Sequence, residues 1–544
     1  MNHLDQIPAM TTAGQSKEFP GKGITERFRE VFGKSLKNPG LLLVCITVLV
    51  ANGITMPHHH YRGDAIYVQA NAVDLILTGS IMVPETNLEV MGDPGQYYVQ
   101  NTKNGKWYSK YGLINTFLYV PPLLAEKWVV GRLDYNYLSG VRICMLNGYM
   151  ILWSVLIAVY LWKIFSFYSS SSAVKYSFVV AVFYATYVWY YLRTTGMEIF
   201  QLLFFLGFYY NLVAYKNGKS AIQSGSRWID WNLFGAIVFL ACLCMAKLVY
   251  LLLAPVLMVF VLLVGYGHGI KLVDHLRMTV WSNIRCYLFS LVIPLAAMLV
   301  LVVYVNDCRF GSPLNTGYQQ WRASRQLFSG NLWVGLHGLL VSGHGSVFLY
   351  FPVLVLSLFG VAEFVKKHAW DYSLTCVIFI LFLLVHSKFC DWHGSWGLGP
   401  RFMVFILPVL SLPFIEVLER IVAARRGDAK TWMLCVLSVV LLTGSAYFQV
   451  NVNALECFAS EELGSMFWNA GIHNRNDAIR RYFGATYYGV ICRDFIAYKE
   501  KGTPWFPLEQ LRQSDKAEYV PAIENGLKLP IFSCNYWFLK SSGR

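Results

Sequence analysis

Charge-free apolar runs recur along this chain at lengths that suit membrane crossing. A helix needs roughly 20 apolar residues to traverse about 30 Å of hydrocarbon. The runs fall at 38–61, 143–162, 176–192, 199–215, 231–246, 248–270, 286–306, 346–362, 372–387, 402–415 and 431–455. This pattern predicts eleven spans, the shorter ones extended by a turn of flanking residues. Residues 113–125 are apolar but only 13 long and contain Pro121-Pro122. They suit a helix lying along the outer interface, and 326–345 reads the same way.

The positions of Lys and Arg orient these spans. The first 39 residues carry Lys17, Lys22, Arg27, Arg29, Lys34 and Lys37, an excess that marks the cytoplasmic side. Alternation from there puts fourteen basic residues into five short inner loops, while the opposite short turns are sparse in them. The expected organisation is a cytoplasmic segment (1–39), a membrane domain (40–449) and an extracytoplasmic tail (450–544). The outer face then holds long loops at 57–139 and 307–345 and a short polar turn at 388–401. Whatever chemistry the chain performs belongs there. Compact inner loops point to a bacterial inner membrane.

Composition agrees with a multi-pass membrane protein. Of 544 residues, 56% are apolar and only 14% charged, against about 25% charged in soluble domains. That excludes disorder, a disulfide miniprotein, a coiled coil and an ordinary cytosolic enzyme. The net charge of +14 does not signal nucleic acid, because the basic residues sit in connectors between apolar runs. Seven of the twelve Cys (45, 144, 242, 244, 286, 376 and 435) lie inside apolar segments, as small hydrophobes. No CxxC pair marks a structural zinc site.

Four polar motifs fall on the outer face. His58-His59-His60 precedes Gly63-Asp64, and a helical pattern follows Asp64. The carboxylate can cap that helix; the histidines can be read as metal ligands, although adjacent imidazoles cannot all reach one ion. Trp107-Tyr108-Ser109-Lys110-Tyr111-Gly112 stands at headgroup depth, where Lys110 can snorkel or hold a lipid phosphate. Arg193 and Glu198 share a tight turn and can pair with each other. The last outer turn runs from Asp391 through Trp392, Trp396 and Gly399 to Arg401. Its tryptophans offer flat stacking surfaces, and Arg401 suits a bidentate phosphate contact.

The order of these motifs resembles the GT-C superfamily of polytopic glycosyltransferases, in the branch of protein O-mannosyltransferases and the aminoarabinose transferase of lipid A. Phe310 to Tyr318, Ser342 to Ser346 with Phe348, and Trp396-Gly397 to Phe402 complete the likeness, which covers residues 60 to about 415. It implies an all-α membrane fold with amphipathic juxtamembrane helices on the outer face. It also implies an inverting transfer of a hexose or pentose from a polyprenyl-phosphate donor to a glycan, lipid or protein. Position by position, Asp64 matches the general base and Lys110 and Arg401 the cations on the donor phosphate. Tyr108, Tyr111, Arg193, Glu198, His344 and Trp396 match substrate-binding positions. Glu198 stands where relatives often carry Asp, and His344 where arginine is common. No resident cofactor is implied, and the need for a divalent metal stays open. A transporter or flippase of lipid-linked sugars is the rival reading. It would place ionisable groups at mid-membrane, whereas here they fall at span ends. In the tail, Cys457, Cys492 and Cys534 meet an oxidising compartment and can bridge to one another or to Cys308 and Cys390.

Overall fold

Asn38 opens the first helix. Its side chain accepts from the backbone N–H groups of Gly40 and Leu41 at 3.0 and 3.3 Å, and Pro39 fills a first-turn position that needs no N–H. The structure, a computed structural model, describes residues 38–454 except 58–63, 85–96, 136–138, 223–227, 265, 267–270, 320–325, 343–344, 393, 395–397 and 425–427. The expectations for His58–His60, His344, Trp396 and the tail cysteines fall outside the described residues.

From the N-terminal side the helices are α1 (Pro39–Ile54) and α2 (Asp64–Thr78), followed by three short strands, β1 (Met82–Val83), β2 (Tyr98–Gln100) and β3 (Trp107–Ser109). Then come α3 (Leu113–Val130), α4 (Gly140–Phe165), α5 (Ser172–Tyr184), α6 (Val188–Arg193), α7 (Glu198–Ile222) and α8 (Trp231–Ala246). A 3-10 turn (Leu248–Leu252) leads into α9 (Leu253–Leu263), followed by α10 (Leu272–Tyr287), α11 (Ile293–Phe310) and α12 (Leu332–Leu340). The last are α13 (Val347–Tyr350), α14 (Pro352–Ser357), α15 (Val361–Lys388), α16 (Leu407–Leu410), α17 (Phe414–Ala423) and α18 (Ala429–Ala454).

Among the described residues, five helical stretches are long and apolar enough to cross a membrane: Gly140–Phe165, Glu198–Gly218, Asn283–Phe310, Pro352–Lys388 and Ala429–Val450. Four shorter apolar helices stand at 39–54, 172–184, 231–246 and 248–263. The chain is an integral membrane protein. Two expectations need correction. The fold is not wholly helical, because the first long loop forms an antiparallel sheet of order β1-β3-β2, with Tyr108 opposite both Met82 and Val99. The second concerns the run 402–415; the runs 346–362 and 372–387 fall on α13 to α15, with a helix break at His368 (φ −136°, ψ 40°) between them. Residues 402–415 form short helical pieces rather than one regular span. Pro408 and Pro413 deny the backbone its ladder there, and Met403 to Leu407 are buried by protein. That run is apolar because it is core.

Phe405 marks the centre of the core. Its ring lies 4.8 Å from Phe205 of α7, 5.1 Å from Tyr250 and 4.8 Å from Phe382 of α15. Polar ties fix the outer layer to this core. Arg309, near the end of α11, donates to the carbonyls of Ser109 and Tyr111, and Asn101 donates to the carbonyl of Cys308 at 3.0 Å. Tyr187 and Tyr191 donate to the carbonyls of Pro400 and Leu398 at 3.1 and 2.9 Å, which anchors the loop before Arg401.

A fully buried ion pair joins α3 to α4. Arg142 donates through Nε to Glu126 at 2.7 Å and through Nη2 to the Asp134 carbonyl at 2.6 Å. Its side chain is 0% exposed and that of Glu126 5%. Removing the Glu126 charge leaves the buried guanidinium only the half-exposed Asp134 carboxylate at 3.9 Å as a counter-charge, at a cost of about 3 kcal/mol. Glu126→Gln should therefore lower the thermal unfolding midpoint of detergent-purified protein by several degrees. An unchanged midpoint would contradict this account of the pair.

Candidate functional site

Two helices begin beside Arg401, each with a carboxylate in its first turn. Asp64 is the first residue of α2 and Glu198 the first of α7, positions where a helix dipole favours negative charge. Between them lies Arg401, in a 3-10 turn (Arg401–Met403). Its Nη2 donates to Asp64 Oδ2 at 2.8 Å and its Nε donates to Glu198 Oε1. The other Asp64 oxygen accepts from the Tyr111 hydroxyl at 2.6 Å.

Two lysines complete the group. Lys110 follows β3, with its Nζ 5.2 Å from the ring centres of Tyr97 and Tyr111 and 5.9 Å from that of Tyr318. Lys247 stands in the break between α8 and the 3-10 turn, in extended backbone (φ −158°, ψ 119°). Its Nζ lies 4.0 Å from the centre of the Phe402 ring, on which His386 also stacks at 4.9 Å. The break is held from the side by α3. Asn115 donates to the Ala246 carbonyl at 3.0 Å. A Cβ at Gly112 would stand 2.2 Å from the Met245 and Ala246 oxygens, so only glycine permits this approach.

All five groups line one cavity of about 910 Å³. The rest of its lining is mostly apolar, including Leu248, Leu251 and Leu252 of the 3-10 turn, Phe328, and Leu384 and Phe389 near the end of α15. The cavity is amphipathic, with a charged end at Asp64 and Arg401 and a long hydrocarbon flank. Asp64 keeps 33% of its side chain exposed, whereas Arg401 keeps 12% and Glu198 8%.

The electrostatics follow from this crowding. Burial pushes the Asp64 carboxyl up, but the Arg401 guanidinium, Lys110 and the hydrogen bonds from Tyr111 and Arg401 outweigh it, so the carboxyl is held below its usual range. Burial pushes Lys247 down to about 8; the neighbouring Arg401 adds to this, and Glu198 and Asp64 oppose it. Burial and the Asp64 charge raise the Tyr111 phenol well above its ordinary value, so it stays a donor. At neutral pH the site presents an ionised carboxylate beside a set of cations.

No protein-family profile matches the chain, and no curated protein does. Among solved structures, the chain is similar to an archaeal oligosaccharyltransferase, AglB from Archaeoglobus fulgidus, in complex with an inhibitory peptide and a dolichol-phosphate. The TM-score is 0.45 at 10% identity, over 86% of this chain and 60% of that one. It is also similar to ArnT from Cupriavidus metallidurans bound to undecaprenyl phosphate, with a TM-score of 0.43 at 12% identity, over 90% of this chain and 75% of that one. This chain spans about 60% of the length of the archaeal oligosaccharyltransferase.

Of the residues singled out in the sequence, Asp64, Lys110, Tyr111, Glu198 and Arg401 come together on the cavity. Tyr108 packs instead with Val99 and Phe310 beside the sheet. Arg193 does not pair with Glu198. It donates to the carbonyls of Thr55 at 2.6 Å and Asn453 at 2.5 Å, tying the ends of α1 and α18 together. Neighbours in a turn need not share a direction, and α6 aims Arg193 away from the cavity. Sequence reading passed over Lys247 and Tyr318. The signal for Lys247 was its isolation, with no other Lys, Arg, His, Asp or Glu between Asp230 and His268 in a long apolar tract. Among the described residues, no cluster of three or more His, Cys, Asp or Glu is placed to hold a metal ion.

Proposed function

We propose that this protein is a membrane glycosyltransferase that moves a sugar from a polyprenyl-phosphate donor to an acceptor at the extracytoplasmic end of the cavity. The observation that carries the reading is the amphipathic cavity itself. An isoprenoid phosphate needs an apolar wall that leads to cations, and a group-transfer enzyme needs an ionised carboxylate beside them. Leu248, Leu251, Leu252 and Phe328 supply the first. Lys110, Lys247 and Arg401 supply the second, and Asp64 the third.

In this reading Asp64 is the general base. It takes the proton of an acceptor hydroxyl as that oxygen attacks the anomeric carbon. The bond from that carbon to the phosphate oxygen breaks, and its electron pair leaves with the polyprenyl phosphate. Attack from the face opposite the phosphate inverts the anomeric centre. The three cations face the charge that accumulates on the leaving phosphate, and the Tyr111 hydroxyl orients the base. His344, Trp396, Tyr108 and Arg193 are assigned no step in this mechanism. Asp64 is ionised throughout the neutral range, so the reaction needs no prior deprotonation. The distribution of Lys and Arg supports an active end outside the cytoplasm, and the compact inner loops support a bacterial inner membrane.

Two outcomes test the reading. Asp64→Asn keeps the size of the side chain and removes the base, so sugar transfer by the purified variant should fall by about 10²-fold or more. Near-normal transfer would sink the assignment. The second concerns pH. Lys247 loses its charge as pH rises through about 8, whereas a bound phosphate favours the charged form. Affinity for undecaprenyl phosphate should therefore weaken as pH rises above that value, by up to about tenfold per pH unit. In Lys247→Gln the affinity should be lower and its alkaline decline absent. An alkaline decline that survives in Lys247→Gln would show that another group is responsible.

A further inference from the structure

Arg401 holds two carboxylates at once. Its Nη2 is on Asp64 at 2.8 Å, its Nε on Glu198, and its Nη1 lies 3.5 Å from the Gly394 carbonyl. If the cavity takes a lipid phosphate, as proposed above, the free protein keeps its base in an ion pair with the group that the phosphate needs. A carboxylate paired with guanidinium is a poorer proton acceptor than one released from it. The cavity lining carries Lys110, Lys247, Lys388 and Arg401 against Asp64, Glu198 and Asp391, one net positive charge. A phosphodiester brings one negative charge.

We propose that the donor phosphate and Asp64 compete for the Nη2 edge of Arg401, so that seating the phosphate releases Asp64 to act as base. Glu198 keeps Nε in both states and holds the guanidinium at the junction. The exchange makes and breaks only ion pairs and hydrogen bonds. The proton moves later, from the acceptor hydroxyl to the freed Asp64. The donor must therefore be seated before an acceptor is activated, and in the empty protein the ionised base is held in its ion pair with Arg401. The balance at Asp64 points the same way: burial raises the carboxyl, and it is Arg401, first among the opposing groups, that holds it down.

A structure of the wild-type protein with undecaprenyl phosphate tests this directly. The expected result is a phosphate oxygen within hydrogen-bond reach of Arg401 Nη2, an Asp64 Oδ2 to Nη2 separation beyond 3.5 Å, and Nε still on Glu198. Phosphate bound by Lys110 and Lys247 with the Arg401–Asp64 pair intact would overturn the exchange and leave the donor site standing. Failure of the lipid phosphate to bind in this cavity would overturn both. Kinetics give an independent reading from wild-type protein. The acid limb of kcat reports the donor complex, and that of kcat/KM for the donor reports the free enzyme. The first should reflect about tenfold higher proton affinity than the second; coincident limbs would contradict the exchange.

Discussion

A guanidinium shared between two carboxylates is the interaction on which the rest of this site depends. Asp64 and Glu198 stand at the starts of two helices and would repel each other without Arg401 between them. In a half-buried site that repulsion is poorly screened. One cation resolves it, since the planar fork of arginine can address two acceptors in fixed directions where a lysine ammonium would be a point charge. The loop that delivers Arg401 is correspondingly well anchored, by Tyr187 and Tyr191 on the carbonyls of Pro400 and Leu398.

The surrounding fold sets the environment of that interaction by interrupting helices where they reach the cavity. The chain breaks at Lys247, at Glu198 and at Arg401, and each break turns an ionisable side chain inward while its flanking residues stay apolar. An uninterrupted span through Lys247 would have carried that residue past the cavity end. Gly112, packed without room for a Cβ against the Met245 and Ala246 carbonyls, holds the break beside Tyr111. The Ala246 carbonyl, freed from the helical ladder, finds a donor in Asn115. Backbone groups freed from a helical ladder are tolerated where protein satisfies them, and α3 does so here.

Much of this was legible in the sequence because charge is rare in it. With so few ionisable residues among long apolar runs, Asp64, Lys110, Glu198 and Arg401 stood out at span ends, and all four line the cavity. What failed did so for physical reasons. Lys247 interrupts one long apolar tract, and such a charge reads equally as a turn between spans and as a group aimed inward. The run 402–415 is as apolar as a lipid-facing helix, but its apolar character serves burial by protein, which hydropathy cannot distinguish. Strands of two or three residues lie below any periodic signal, so the sheet that carries Tyr108 was missed. Arg193 and Glu198 are close in the chain, yet their directions are set by α6 and α7, and each found a partner from a distant segment.

The central claim is that the charged end of this cavity receives a lipid-linked phosphate. Native mass spectrometry of the detergent-purified protein with undecaprenyl phosphate tests it most directly. The account predicts one lipid per wild-type chain. It also predicts an affinity at least tenfold lower in the Lys110→Gln, Lys247→Gln double variant, since each charge-assisted contact is worth about 1.5 kcal/mol or more. Equal binding by the wild-type and double-variant proteins would contradict it.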